Sequence, residues 1–213
     1  NRPGESYRLV MKTDQKSIAA IRLEVLTDPS LPRQGPGRGS GGNFSITWKL
    51  GAKTSEGDDA RPLRIQTAVA DYSNARFPIT DSRWNIEGGV GRPHVAFWEL
   101  ATPLQDEAGL QFTLTIKGPA GGQFGDQNLG RFRVSISDDP RAFAHEQSRL
   151  AVGQLTDPAA RLDAAYQLLG QADRATGNFD RLIEHRRSQS AAPDQLAQAF
   201  RLRGAHFVRT GQW

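Results

Sequence analysis

Seven stretches in the first two-thirds of the chain have the length and residue types of strands: residues 7–11, 18–26, 43–50, 63–70, 94–100, 110–116 and 131–136. A period of two is clearest in three of them. Phe44, Ile46, Trp48 and Leu50 fall on one face of the third. Leu110, Phe112, Leu114 and Ile116 alternate with Gln111, Thr113 and Thr115, and Phe132, Val134 and Ile136 alternate with Arg131, Arg133 and Ser135. Such alternation puts one face of a strand in a core and the other in water. Short strands separated by Gly/Pro-rich turns predict an all-β sandwich of jelly-roll type over residues 1–138. Three segments between strands are irregular: 28–42, with three prolines and five glycines, 71–92 and 118–130. The run 35–42 has the glycines of a phosphate cradle. No lysine–serine/threonine pair follows it and a strand comes next, so it reads as a flexible loop.

Near Asp138-Asp139-Pro140 the pattern changes. Alanine, leucine, glutamine and arginine rise, and the apolar period becomes helical. Asp139 with Pro140, and Asp157 with Pro158, have the cap and first-turn residues of helix starts. A 34-residue offset pairs Tyr166 with Phe200, Leu168 with Leu202, Gly170 with Gly204, and Gly177-Asn178-Phe179 with Gly211-Gln212-Trp213. Thirty-four is the tetratricopeptide period, so residues 139–213 are expected to be an α-helical tetratricopeptide-like segment. Arg186 stands where a second-helix aromatic is usual. The start at Asn1, without methionine, and the end inside the repeat pattern make the sequence read as a piece of a longer chain, with more repeats expected after Trp213.

Composition removes several chemistries. With no cysteine there are no disulfides, thiolate metal sites or cysteine nucleophiles. No apolar run is long enough to span a bilayer. The net charge is +4, but 27 basic and 23 acidic residues are interspersed along the sequence. That pattern reads as a solvated surface and not as a nucleic-acid footprint.

Several motifs carry a resemblance. Ile21 to Leu26, then Asp28-Pro29-Ser30-Leu31-Pro32, Gly35-Pro36-Gly37-Arg38 and Gly42-Asn43-Phe44 resemble a module of large planctomycete proteins. Those proteins include c-type-cytochrome-like proteins and multidomain serine/threonine kinases with repeat arrays. Gly91-Arg92-Pro93-His94-Val95-Ala96 and the segment from Leu129 to Ser135 are similar to the same module, and the follow-on through Tyr166 resembles the entry to the repeats in the kinase-type members. The resemblance implies a galactose-binding-like, discoidin-type sandwich, glycan binding through loops at one end, and an extracytoplasmic or cell-surface location. The segment after Phe77-Pro78 is shortened to Ile79 to Trp84, which departs from the calcium-associated loop of discoidin-type domains and counts against calcium there. Asp126 with the surrounding carbonyls is the remaining candidate for that ion.

A glycan site needs an aromatic face for the apolar side of a sugar and planar polar groups for its hydroxyls. Trp84, Arg83, Arg76 and Tyr72 supply both from one loop, and Gln123, Asp126, Gln127 and Asn128 complete the site if the two loops share an end. The competing reading has Trp84 and Phe77 plugging the core. His94, with no serine or cysteine motif, reads as a structural histidine. Asp71, Asp81, Asp126, Glu87 and Glu99 have no fixed separation that would make a hydrolytic pair. No catalytic residues, metal ligands or cofactor are assigned. The expected function is a non-catalytic module that binds polysaccharide or glycan. The alternative is a protein-interaction or spacer module that takes protein partners on the helical repeats, where Arg201, Arg203 and Arg209 favour acidic ones. Neither nucleic-acid binding nor membrane insertion is expected.

Overall fold

The computed structural model describes residues 3–53 and 61–211. The chain divides into two compact units, Asn1–Ala144 and His145–Trp213. Among the described residues of the first, nine strands form two antiparallel sheets: β1 (Ser6–Thr13), β2 (Ser17–Leu26), β3 (Ser45–Lys53), β4 (Arg61–Pro62), β5 (Ile65–Ala70), β6 (Arg83–Asn85), β7 (His94–Gln105), β8 (Leu110–Lys117) and β9 (Arg131–Ser137). The five-stranded sheet runs β1-β8-β3-β4, with β6 also on β3; the four-stranded sheet runs β5-β7-β2-β9. Strands occur wherever alternation placed them. The short β4 and β6 carry too few residues to show a period.

The two sheets share one core. Ile21, Leu23, Val25 and Trp98 from one meet Trp48, Leu50, Phe112, Leu114 and Ile116 from the other, all buried. Trp48 and Trp98 pack 4.6 Å apart, and Trp84 lies edge-on to both Trp98 and Phe44. On the outer side of the four-stranded sheet, Phe143, from the first turn of the following helix, packs on Ala20 and Phe97.

The glycine-rich stretch 35–42 is not a flexible loop. Gly37 N–H donates to the Gly42 carbonyl, Gly39 N–H to that of Asn43, and Gly37 bridges Leu129. A Cβ on Gly37 would stand 2.0 Å from the Asn43 oxygen, so only glycine lets the two backbones come this close. The stretch is largely buried.

Four helices follow among the described residues: α1 (Ala142–Gln154), α2 (Pro158–Leu168), α3 (Ala172–Ser188) and α4 (Pro193–Thr210). Asp157 caps α2 as expected, its carboxylate accepting from Ala159 and Ala160 N–H with Pro158 in the first turn. Asp139 instead closes a turn ahead of α1, accepting from Arg141 N–H. The 34-residue offset joins positions that the backbone treats differently. Gly170, at φ +67, breaks the chain between α2 and α3, whereas Gly204 lies inside α4; Gly177 lies inside α3, whereas Gly211, at φ +68, ends α4. Gln212 and Trp213 lie outside the described residues.

Candidate functional site

The two loops expected to make a glycan site both reach the start of β3. Ile86 N–H donates to the Phe44 carbonyl from one side, and Ser45 N–H donates to the Gln127 carbonyl from the other. Several of the polar and aromatic groups there are spent on each other. Trp84, the sugar platform expected from sequence, is 0% exposed. It faces inward because it opposes the core residue Ile46 across the β3–β6 pair, and its indole N–H donates to the Tyr72 carbonyl at 2.9 Å. Tyr72 in turn donates its hydroxyl to the Glu87 carbonyl. Asn128 and Gln127 are buried, and Asp126 accepts from Ser40 N–H at 2.8 Å. Asp126 and the Asn128 carbonyl, which accepts from Arg38 N–H, hold the glycine-rich stretch down, and the Gln127 carbonyl holds the start of β3. Gln123 falls in the 3-10 turn Gly122–Phe124; its side chain lies outside the described residues. Arg76 and Arg83 remain exposed, as does Phe77, the only other aromatic of the 71–92 segment.

His94 is buried as well. Its Nδ1 meets Asp71 Oδ2 at 2.9 Å and its Nε2 meets the Gly89 carbonyl. Both ring nitrogens are engaged within the protein, so neither is open to a substrate. Asp71 also accepts from Val95 N–H, which fixes the 71–92 segment to β7. Among the described residues no three His, Cys, Asp or Glu side chains gather as a metal set.

The helical unit holds a polar cluster that sequence inspection missed. Asp163, 1% exposed, accepts from Gln167 at 2.9 Å and from His206 Nδ1 at 2.6 Å, and it pairs with Arg209. His206 Nε2 lies 2.9 Å from the Thr176 hydroxyl. The order carboxylate, imidazole, hydroxyl is that of a nucleophile relay. Here, however, the imidazole is fully buried and each member stands on a different helix, so the cluster ties α2, α3 and α4 together. The separation of 43 residues between Asp163 and His206 left no local signal. The cluster also uses Arg209, and Arg203 pairs with Asp180 and stacks on Phe207, so of the three arginines expected to attract acidic partners only Arg201 is uncommitted among the described contacts.

Among the described residues, apolar grooves open on this unit. One, of about 350 Å³, lies between α2 and α3, floored by Ala175 and Phe179, walled by Leu162 and Leu182, with Arg181 and His185 among its lining. Another, of about 410 Å³, is lined by Val152, Ala165, Leu168 and Leu169 beside His145 and Arg149. Leu162, Leu168 and Leu169 are 43%, 47% and 67% exposed. No described helix is long and apolar enough to cross a membrane. Comparison with protein-family models, with curated proteins and with solved structures finds no match to this chain.

Proposed function

We propose that this chain is a non-catalytic binding module whose helical unit takes an apolar, acid-flanked protein segment. The observation that carries the reading is the set of leucines left open to water on two concave apolar surfaces. A concave apolar site with a few charged groups at its edge is the usual form of a binding pocket. Arg181 beside the α2–α3 groove complements an acidic residue that flanks an apolar anchor, whereas Arg149 beside the other groove is paired with Glu146. The helices are read as a tetratricopeptide-like scaffold and the sandwich as a jelly-roll of galactose-binding-like type, in keeping with the planctomycete resemblance. The break at Gly170 against the continuous helix through Gly204 stands against two equal 34-residue units.

Peptide phage display on the whole chain tests this. Enriched peptides are expected to pair apolar anchors with Asp or Glu, and Leu162→Asp or Leu169→Asp to weaken them about ten-fold or more, the value of one buried leucine. No enrichment, or peptides indifferent to both substitutions, would discard the reading.

A second reading, glycan binding at the loop end, is favoured by Phe77, Arg76 and Arg83 standing exposed in one segment. Phe77 takes the place there that the buried Trp84 leaves. Retention on insoluble polysaccharides that disappears in a folded Phe77→Ala variant would support it.

A further inference from the structure

The charged residues of the first unit are sorted by sheet. In the five-stranded sheet, no strand contains an aspartate or glutamate among the described residues, while the four-stranded sheet carries Glu24 and Glu99. Alternation sends Tyr7, Leu9, Trp48, Leu50, Phe112 and Leu114 inward, so the residues between them form one outer face. Pairing sets that face in rows. Arg8 lies opposite Thr115 and Thr115 opposite Lys49; Ser6 lies opposite Lys117, Lys117 opposite Thr47, and Thr47 opposite Arg83. Lys12 begins a further row beside Gln111. Arg8, Lys12, Lys49, Arg83 and Lys117 are all exposed, and none is in an ion pair among the described contacts. Of the carboxylates near these strands in sequence, Glu5, Asp14, Asp81, Asp106 and Glu107 stand outside the strands, with Glu5 facing Arg38 and Glu107 facing Lys16, while Glu56, Asp58 and Asp59 lie outside the described residues.

A chain with 27 basic and 23 acidic residues has carboxylates enough to neutralise such a face, and on the other sheet it does so: Glu24 pairs with both Arg22 and Arg133. Cations one strand removed from each other across a row are about 10 Å apart, near the screening length, so their repulsion is only partly screened. A flat face of regularly spaced cations, with no counter-charge among the described contacts, is complementary to a regularly spaced polyanion. Threonine, serine and glutamine fill the positions between the cations and can meet hydroxyl groups. Phe44, Trp48, Trp84 and Phe112 all point into the core, so no aromatic ring is presented on which bases would stack. Val10 is the one large exposed apolar side chain on these strands, too little to enter a lipid surface.

We propose that the outer face of the five-stranded sheet binds a linear acidic polysaccharide, one bearing sulfate or carboxylate groups along its length. The proposal is independent of the helical grooves and concerns a different surface from the loop carrying Phe77.

The test is binding of the whole chain to dextran sulfate and to alginate over a range of NaCl concentrations, beside uncharged dextran, oligo(dT) and phosphatidylserine-containing vesicles. Binding is expected to at least one acidic polysaccharide and not to dextran. In the Lys12→Gln/Lys49→Gln/Lys117→Gln variant it falls about ten-fold or more, and the logarithmic salt slope becomes shallower by about two to three. The single variant Lys49→Glu guards against misfolding of the triple one and is expected to weaken binding in the same direction. Arg92→Gln/Arg174→Gln/Arg201→Gln removes the same charge elsewhere and is expected to leave binding intact, as is Phe77→Ala. The proposal is overturned by no binding to either polyanion at low salt, by equal loss in the control triple variant, or by tighter binding to oligo(dT) or to the vesicles.

Discussion

In the sandwich, the aliphatic residues of both sheets and three tryptophans close one core, and several polar residues in or beside its long loops, His94, Asn85, Gln127 and Asn128, are buried with it. In the helical unit, buried apolar side chains are few among the described residues: Leu150, Ala175, Phe179, Ile183 and Ala199. Leu162, Leu168, Leu169, Phe200 and Val208 stay open to water, and a buried Asp163–His206 pair contributes cohesion where apolar burial is short. The difference follows from geometry. Two sheets cover each other's inner faces, whereas each helix of a short array needs a neighbour on both sides. The sandwich is therefore expected to resist changes at its surface and fail at its core. The helical unit is expected to depend on one polar cluster.

Trp84→Ala presses hardest on that contrast. It removes a fully buried indole that packs on Phe44 and Trp98 and anchors Tyr72, and is expected to cost the sandwich about 4 kcal/mol. The shift is read from urea unfolding followed by tryptophan fluorescence, with the helical far-UV signal recorded in parallel. A loss under about 1 kcal/mol would mean that the indole is not the core element described here.

Asp163→Ala comes next. It leaves His206 facing no acceptor at Nδ1 and Arg209 without its partner, at a cost of about 3 kcal/mol. The far-UV transition is expected to move while the fluorescence of the sandwich tryptophans stays near its wild-type midpoint. If the two signals shift together, the units unfold as one and the contrast between them fails.

Glu24→Gln is the mildest. The hydrogen bond from Arg133 outweighs the effect of burial and, with Arg22 adding, holds the Glu24 carboxyl below the ordinary carboxylate range. A depressed folded-state value means that the pair's stability is present above the unfolded-state value and is lost as pH falls through the folded-state one. Near neutral pH the substitution is expected to cost under about 1 kcal/mol. The difference between variant and wild type should vanish in acid, which urea midpoints at neutral and acidic pH would reveal.

Much of the sandwich is legible along the chain because a strand's period of two is a local property: Phe112 and Leu114 identify their own face without reference to any partner. The helix start at Asp157-Pro158 is legible for the same reason, since a cap acts on the residues beside it. The site was not legible. Whether Trp84 faces water or core depends on its register against Ile46, nearly forty residues earlier, and whether Gln127 and Asn128 are ligands or braces depends on the glycine-rich stretch that packs against them. The sequence by itself determined seven of the strands, the change to helices near Asp138 and the start of α2, and that no cysteine chemistry is present. Only the tertiary structure decided that Gly170 breaks a helix while Gly204 extends one, that Asp163 finds His206, and that cations from four separate strands share one face. Each of these depends on which segments lie side by side, and pairing between distant segments leaves no mark in the local pattern of either.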